Sequence, residues 1–430
     1  MPSFVDVVVI GAGVAGLSAA AAVRAEGRTV AVLEAATRVG GRAWTVRPPS
    51  LGGAHFDMGA IWLHAAERNP LAPIARAAGE ALLDADATRR RRLIVDGRLA
   101  SEAEAADYEQ AWDRFEAVAD RLTGPGSPDV SLAAVARSLP ADPWAVTVET
   151  WEGPVICVAE AAEFSLRDWK SNVLEGGNIL IGGGLGDFVR RRLAPANGLY
   201  LETPATRVRW QEPGGRTAVE TPRGTIEAGA CIVTVSTGVL ASGAIAFEPA
   251  LPVAVQESLD GLPMGLALKV VLRAAGPDRL DLPAFTSLAK RFERSGEPAV
   301  VFSAWPWDYD FVSAWIGAST AWELTRAGPA AAEDFMLSEL RALLGARVDR
   351  AFLPGPALIS EWGSDPLVQG AYAYARPGHA DDRRRLGEPL ADGRLAFAGE
   401  ATHQTLAGTV GGAWLSGAAA AQVALRSLAS

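Results

Sequence analysis

VDVVVIGAGVAGLSAAAAVRAEGRTVAVLE, running from Val5 to Glu34, is the stretch whose reading decides the fold. Val5 to Ile10 is a short β-branched run of the kind that forms a buried parallel strand. Gly11-x-Gly13-x-x-Gly16 follows at once. Leu17 to Ala25 reads as an Ala-rich helix ended by Gly27, and Thr29 to Leu33 as a second strand closed by Glu34. In that setting each glycine has a task. Gly11 permits a tight turn, Gly13 lets backbone approach a pyrophosphate, and Gly16 lets helix and strand pack closely. The helix N-terminus then presents free N–H groups and a positive dipole end to the phosphates. Glu34 is placed to accept hydrogen bonds from a ribose diol, which favours the unphosphorylated ribose of NAD or FAD over NADP. The reading is an α/β chain with a Rossmann-like dinucleotide-binding domain.

Moving outward, Arg38-Val39-Gly40-Gly41-Arg42-Ala43-Trp44-Thr45 brings a second diglycine and two arginines close to the dinucleotide. Positive charge there meets pyrophosphate. This run resembles the second fingerprint of the FAD-dependent amine oxidase family. Further segments are similar to that family in the same order along nearly the whole chain. They are Asp57 to His64 with Asn69-Pro70, Gly182 to Phe188, Ile232 to Leu240 with Phe247-Glu248-Pro249, and Gly265 to Leu272. After them come Trp362, Asp365-Pro366 and Gly370 to Tyr374 with Pro377-Gly378, then Phe397 to Thr402 with Gly408 to Ala413 and Ser416-Gly417. The whole set looks most like the polyamine oxidases.

The resemblance implies a Rossmann-like FAD-binding domain of the glutathione-reductase type, interleaved with an α+β substrate-binding domain. The first would take 1–75, 178–250 and 386–430, and the second 76–177 and 251–385. Within the inserts, Glu104 to Leu122 and Pro329 to Leu344 carry helical patterns. Leu266 to Leu272 and Ala299 to Ser303 read as strands, and Asp96-Gly97 marks a hairpin. Arg89 to Arg92 reads as a solvated face rather than a nucleic-acid patch.

The implied reaction is two-electron oxidation of an amine. A hydride leaves the carbon beside nitrogen for the flavin, the imine is hydrolysed, and O2 reoxidises the flavin to give H2O2. The reacting nitrogen must be neutral, so apolar and aromatic walls are needed. Lys269 would hold a water at the flavin ring, and a buried lysine of lowered pKa suits that task. His64 would face and orient the amine, and Tyr372 would line the pocket beside the flavin. Trp62, Trp362, Tyr374 and Thr409 would complete the substrate pocket. Since alternate residues of a strand share a face, Tyr372 and Tyr374 would form one wall. The FAD contacts would come from Gly11, Gly13, Val14, Ala15, Gly16, Glu34, Arg38, Gly40, Gly41 and Arg42. Gly59, Ala60, Ile61, Trp62, Ala205, Trp362, Gly399, Glu400, Gly408, Thr409 and Val410 would supply the rest. Thr409-Val410 opens a helix whose dipole would stabilise negative charge on reduced flavin. A polyamine also needs carboxylates for its distal ammonium groups. The inserts offer Glu160 and Glu163 as pocket candidates, with Asp308 and Asp310 behind them.

Three positions depart from the family pattern. Ala371 stands where some relatives carry a flavin-linking cysteine, which implies non-covalent FAD. Thr409 stands where monoamine oxidases place a second tyrosine, so the two-tyrosine cage is incomplete. Ser236 replaces the usual proline, a change expected to concern backbone shape. An L-amino-acid, monoamine or alkaloid-amine oxidase is the alternative, but an amino-acid substrate calls for a cation facing its carboxylate, and the sequence places none. A desaturase-like flavoprotein lacks a reason for Lys269 in its apolar strand. A flavoprotein acting mainly as a partner scaffold would be expected to carry a long helical insertion or an extra module.

Composition narrows the partners. Forty Lys and Arg against 50 Asp and Glu give a net charge of −10, which argues against sequence-independent nucleic-acid binding. Two cysteines allow one disulfide at most, so a reducing compartment is expected. Four histidines lack metal-ligand spacing, so no metal is expected. No stretch reads as a signal peptide or membrane span. The expectation is a cytoplasmic monomer or homodimer that meets a small-molecule amine and O2, with no membrane and no nucleic-acid partner.

Overall fold

The computed structural model describes residues 1–212 and 214–429. Its first sheet is built on β1 (Phe4–Ile10), which runs parallel to both β2 (Val30–Leu33) and β3 (Gly224–Val233). Leu199–Tyr200 extends the sheet beyond β2. An antiparallel flap, Arg216–Thr221 and Arg207–Glu212, continues from β3 towards Ala246–Glu248. Leu395–Phe397 also pairs with β3, in parallel. Val7, Val8 and Val9 are wholly buried, because both faces of these central strands are covered. That explains an apolar run without alternation.

On one face lie α1 (Val14–Ala25) and α2 (Val410–Ser427), packed against each other. A Cβ on Gly417 would stand 2.0 Å from the Ala15 carbonyl oxygen, and one on Gly16 would stand 1.9 Å from that of Gly11. The glycines therefore set how closely the two helices and β1 approach.

The second sheet has the order Leu358–Ile359, β4 (Ala267–Arg273), β5 (Phe311–Gly317), Val300–Ala304, Thr286–Lys290, Arg90–Val95, Arg98–Leu99. β4 and β5 are antiparallel, with Lys269 opposite Trp315. The Asp96-Gly97 turn has both residues at positive φ, the geometry of a two-residue hairpin. Helix Glu102–Leu122 begins in a capping box between Ser101 and Glu104. Trp151–Cys157 is a π-helical segment containing Pro154. Such widened turns cluster at functional sites.

Two domain boundaries read from sequence move. Helix Val253–Gly261, expected in the substrate-binding part, places Val255 and Leu259 in the core of the first sheet with Val208, Ile226 and Phe397. Ala375 and Leu386 join the same core. At the other crossing, Leu82–Asp84 pairs with Ile179–Ile181, and the second sheet is entered at Arg90. The chain thus passes between the sheets at 85–89, later than residue 76. Neither shift is marked by residue type, because Val255, Leu259, Ala375 and Leu386 are apolar residues that either core could bury.

Candidate active site

One cavity of about 860 Å³ runs from the glycine turn after β1 to the inner face of the second sheet. That is ample for a cofactor and a small substrate. Its two halves have different chemistry.

The first half is backbone and charge. Gly13 lies at the cavity wall, and a Cβ built there meets nothing within 4 Å. Gly40 donates its N–H to the Ala12 carbonyl (2.8 Å), and a Cβ on Gly41 would stand 3.3 Å from the Gly13 Cα. The two glycine segments therefore touch. Glu34 closes β2, and its carboxylate accepts from the Ala12 N–H (2.6 Å) and the Ala36 N–H (2.8 Å). Burial raises its pKa, against those hydrogen bonds. Arg38 donates to the Gly41 carbonyl and lies over the Trp44 ring at 4.4 Å. Arg42 donates to the Ala371 carbonyl and to Glu400, both at 2.8 Å. Glu400 also accepts from the N–H groups of Ala373 and Gly408, at 3.1 Å each. The Thr409 hydroxyl accepts from the Gly412 N–H (2.9 Å) and donates to the Leu406 carbonyl, capping α2 at the cavity. Val14, Ala15, Gly59, Ala60, Ile61, Ala205, Gly399, Gly408 and Val410 also line this space. Gly16 does not; it serves the packing of α1 against the turn.

The second half is aromatic, with a few placed polar groups. Lys269 is only 3% exposed. Its Nζ donates to the carbonyls of Asp57 (2.7 Å) and Gly59 (2.5 Å), and lies 5.4 Å from the ring centres of both Phe56 and Trp315. Desolvation brings its pKa down to about 7, opposed by the charge of Asp57. Tyr372 donates its hydroxyl to the Ile156 carbonyl, and the missing side chain of Gly408 leaves room for its ring. Trp362 donates to the Met58 carbonyl (2.9 Å) and meets Trp44 edge to face. Trp62 stacks on His64.

His64 Nδ1 lies 2.6 Å from Asn178 Oδ1. The Asn178 amide nitrogen donates to Asp86, so Oδ1 is the oxygen that faces the ring. Nδ1 therefore carries the proton and Nε2 the lone pair. Burial lowers the His64 pKa and keeps the imidazole neutral.

Several expected pocket residues are elsewhere. Glu160 does not line the cavity; its carboxylate accepts from the Ser319 N–H (3.1 Å) and hydroxyl (2.5 Å). Glu163 is also off the cavity, where it accepts from the Tyr374 hydroxyl (3.1 Å). Tyr374 reaches the wall, but its ring packs on Phe164 in the helical core, and the strand stops at Ala373. Asp308 and Asp310 pair with Arg279 at the surface. Ser236 does more than shape backbone. Its hydroxyl accepts from the Val239 N–H, starting a helix, and donates to the Val368 carbonyl (2.6 Å).

In place of Glu160 and Glu163 the cavity presents Glu152, on the π-helical segment. Its Oε2 accepts from the Trp169 indole N–H (2.8 Å), and it forms no ion pair among the described residues. Burial pushes its pKa up to about 7. The available signal was a carboxylate set between Trp151 and the Gly153-Pro154 helix breaker. Arg89 is the second residue missed. The guanidinium lies 5.4 Å from the Trp62 ring centre and lines the cavity, unlike its exposed neighbours Arg90, Arg91 and Arg92. Among the described residues there is no cluster of metal-ligating side chains and no helix long and apolar enough to cross a membrane.

Comparison with known proteins gives a consistent result. The family model described as flavin containing amine oxidoreductase matches residues 14–425. Polyamine oxidase 4 of Oryza sativa subsp. japonica is 30% identical, over 97% of this chain and 88% of that protein. A lysine-specific histone demethylase 1 homolog of the same plant is also 30% identical, over 96% of this chain but only 51% of its own length. Among solved structures, putrescine oxidase bound to putrescine superposes with a TM-score of 0.78 at 20% identity, covering 97% of this chain and 98% of that one.

Proposed function

The chain belongs to the flavin-containing amine oxidoreductase family and is an FAD-dependent amine oxidase, and from that premise we propose how its cavity handles the substrate, a polyamine or related secondary amine. The first half of the cavity fits FAD on its own geometry. The open space at the Gly13 Cβ position admits a pyrophosphate, and Arg38, Arg42 and the N-terminus of α2 supply positive charge. Glu34 would take the ribose diol. Ala371 offers no thiol beside Tyr372, so the cofactor is held without a covalent bond. When bound, FAD supplies the two-electron acceptor for the C–N bond and passes the electrons to O2, giving H2O2.

The chain's own residues set the state of the amine. Glu152 attracts the entering ammonium. Trp62, Trp315, Trp362 and Tyr372 exclude water from the reacting carbon. His64 Nε2 accepts an N–H of the amine and thereby orients its lone pair. The neutral form suits this task, because an imidazolium would repel the ammonium and could only donate. Lys269 has two N–H groups engaged by backbone carbonyls. Above its pKa of about 7 the amine is neutral, and its lone pair can hold a water by one O–H. That water is the nucleophile for imine hydrolysis.

The observation that carries this reading is Lys269. A lysine desolvated on β4 faces the same cavity as the glycine fingerprints, and its two carbonyl contacts fix the side-chain nitrogen there. Lys269→Met tests it. The variant should retain FAD and lose turnover, with the loss in hydrolysis or reoxidation. Full turnover would remove Lys269 from the mechanism.

A further inference from the structure

Resting on the amine-oxidation reading above, we propose that Arg89 receives an anionic end of the substrate, so that the amine oxidised here is a secondary amine carrying a carboxylate rather than an all-cationic polyamine.

The argument starts from where the chain puts this arginine. Arg89 follows the short turn Ala85–Thr88, where the backbone crosses between the two sheets. That crossing delivers its side chain to the cavity beside Trp62 and His64, while the next three arginines stay in solvent. Its guanidinium is only partly engaged. Nη2 donates to Asp86 at 3.1 Å, but Nε is buried without any partner. A buried donor left unsatisfied costs roughly 1–3 kcal/mol, and native structures rarely retain one without a ligand or water for it.

Asp86 does not remove the site's character. Its carboxylate also accepts from the backbone N–H of Asn178 (3.0 Å) and from the Asn178 side-chain amide (2.9 and 3.2 Å). These bonds hold Asp86 as a bracket that fixes the guanidinium against the Trp62 ring. The other groups facing Arg89 do not supply an anion. His64 is neutral, Asn178 has no charge, and Arg91 adds further positive field. An ammonium at this end of the cavity would meet a cation in a desolvated setting, whereas a carboxylate would complete the guanidinium's hydrogen bonding.

With Glu152 on another wall, the cavity offers the substrate a carboxyl group as well as this guanidinium. A substrate with an ammonium and a carboxylate flanking the secondary nitrogen satisfies both, and a tri-cation satisfies one and opposes the other. The amino-acid-like alternative lacked a cation in the sequence because Arg89 is indistinguishable there from the exposed run that follows it.

The test uses purified holoenzyme, its steady-state turnover with O2, and anaerobic reduction of its flavin. Two substrates are compared: spermidine, and its analogue in which a carboxylate replaces the terminal aminomethyl group of the aminopropyl arm. The analogue should show at least tenfold higher kcat/KM in the unaltered enzyme. Arg89→Gln should raise the analogue's KM roughly tenfold to a hundredfold and lower that of spermidine. Arg89→Lys should recover part of the analogue's affinity, since it keeps the charge and loses the fork. Preference for spermidine, or an equal loss for both substrates in Arg89→Gln, would overturn the proposal while leaving amine oxidation standing. Failure of every amine to reduce bound flavin would instead refute the underlying reading.

Discussion

Alanine at Gly13 separates a glycine turn that holds a ligand from one that only turns. Gly13 has φ −71° and ψ 178°, a conformation open to any residue, and a Cβ there meets no protein atom within 4 Å. Gly13→Ala should therefore leave the apoprotein nearly intact. The expected cost is about 0.5–1 kcal/mol, because alanine caps a helix less well than glycine. The new methyl projects into the space assigned to the pyrophosphate. Forcing one methyl into a filled site costs roughly 1–3 kcal/mol, equivalent to a 5- to 150-fold weaker FAD affinity. Gly16→Ala is the contrast. Its Cβ would stand 1.9 Å from the Gly11 carbonyl oxygen, so helix and strand must separate, and the loss should appear in the apoprotein itself. Thermal melts of the apoproteins, with FAD titration of each, read both effects. The reasoning is refuted if Gly13→Ala binds FAD as tightly as the parent, or if its apoprotein is destabilised as much as that of Gly16→Ala.

Three further outcomes are expected. His64→Ala should keep its FAD and raise KM for the amine about tenfold, since one oriented acceptor is lost; loss of flavin instead would give His64 a folding role. Lys269→Met should slow steady-state turnover roughly a hundredfold, and the parent's dependence on a group near pH 7 should vanish from the oxidative phase. Glu152→Gln should stabilise the fold. The folded carboxyl titrates near 7 and the unfolded one near 4.5, so the unfolded state ionises first and wild type loses stability as pH rises between those values. The glutamine variant should gain up to about 3 kcal/mol at pH 8 and nothing below pH 4.5, measured by denaturant melts at both.

The parts of the molecule that were readable in sequence are those governed by local rules. Gly11, Gly13 and Gly16 lie between a β-branched strand and an Ala-rich helix, the spacing that a dinucleotide turn uses. Lys269 stands out because β4 is apolar on both sides of it. The substrate half was not readable in the same way. Glu152 and Glu160 are eight positions apart in one helical insert. The first lies on the π-helical segment and faces the cavity, whereas the second lies beyond that segment and accepts from Ser319. Arg89 and Arg90 are adjacent, and what divides them is the point at which the chain joins the second sheet. Tertiary placement decides both cases, and side-chain type carries no trace of it.

The central claim is that Lys269, His64 and the glycine fingerprints serve one site where a neutral amine is oxidised. It is tested most directly by mixing the purified protein anaerobically with a panel of amines and following the visible absorption of its flavin. The expected result is rapid bleaching by at least one secondary amine, with the rate falling as pH drops and the amine and Glu152 take up protons. A protein that carries FAD and is bleached by no amine at any pH would contradict the account.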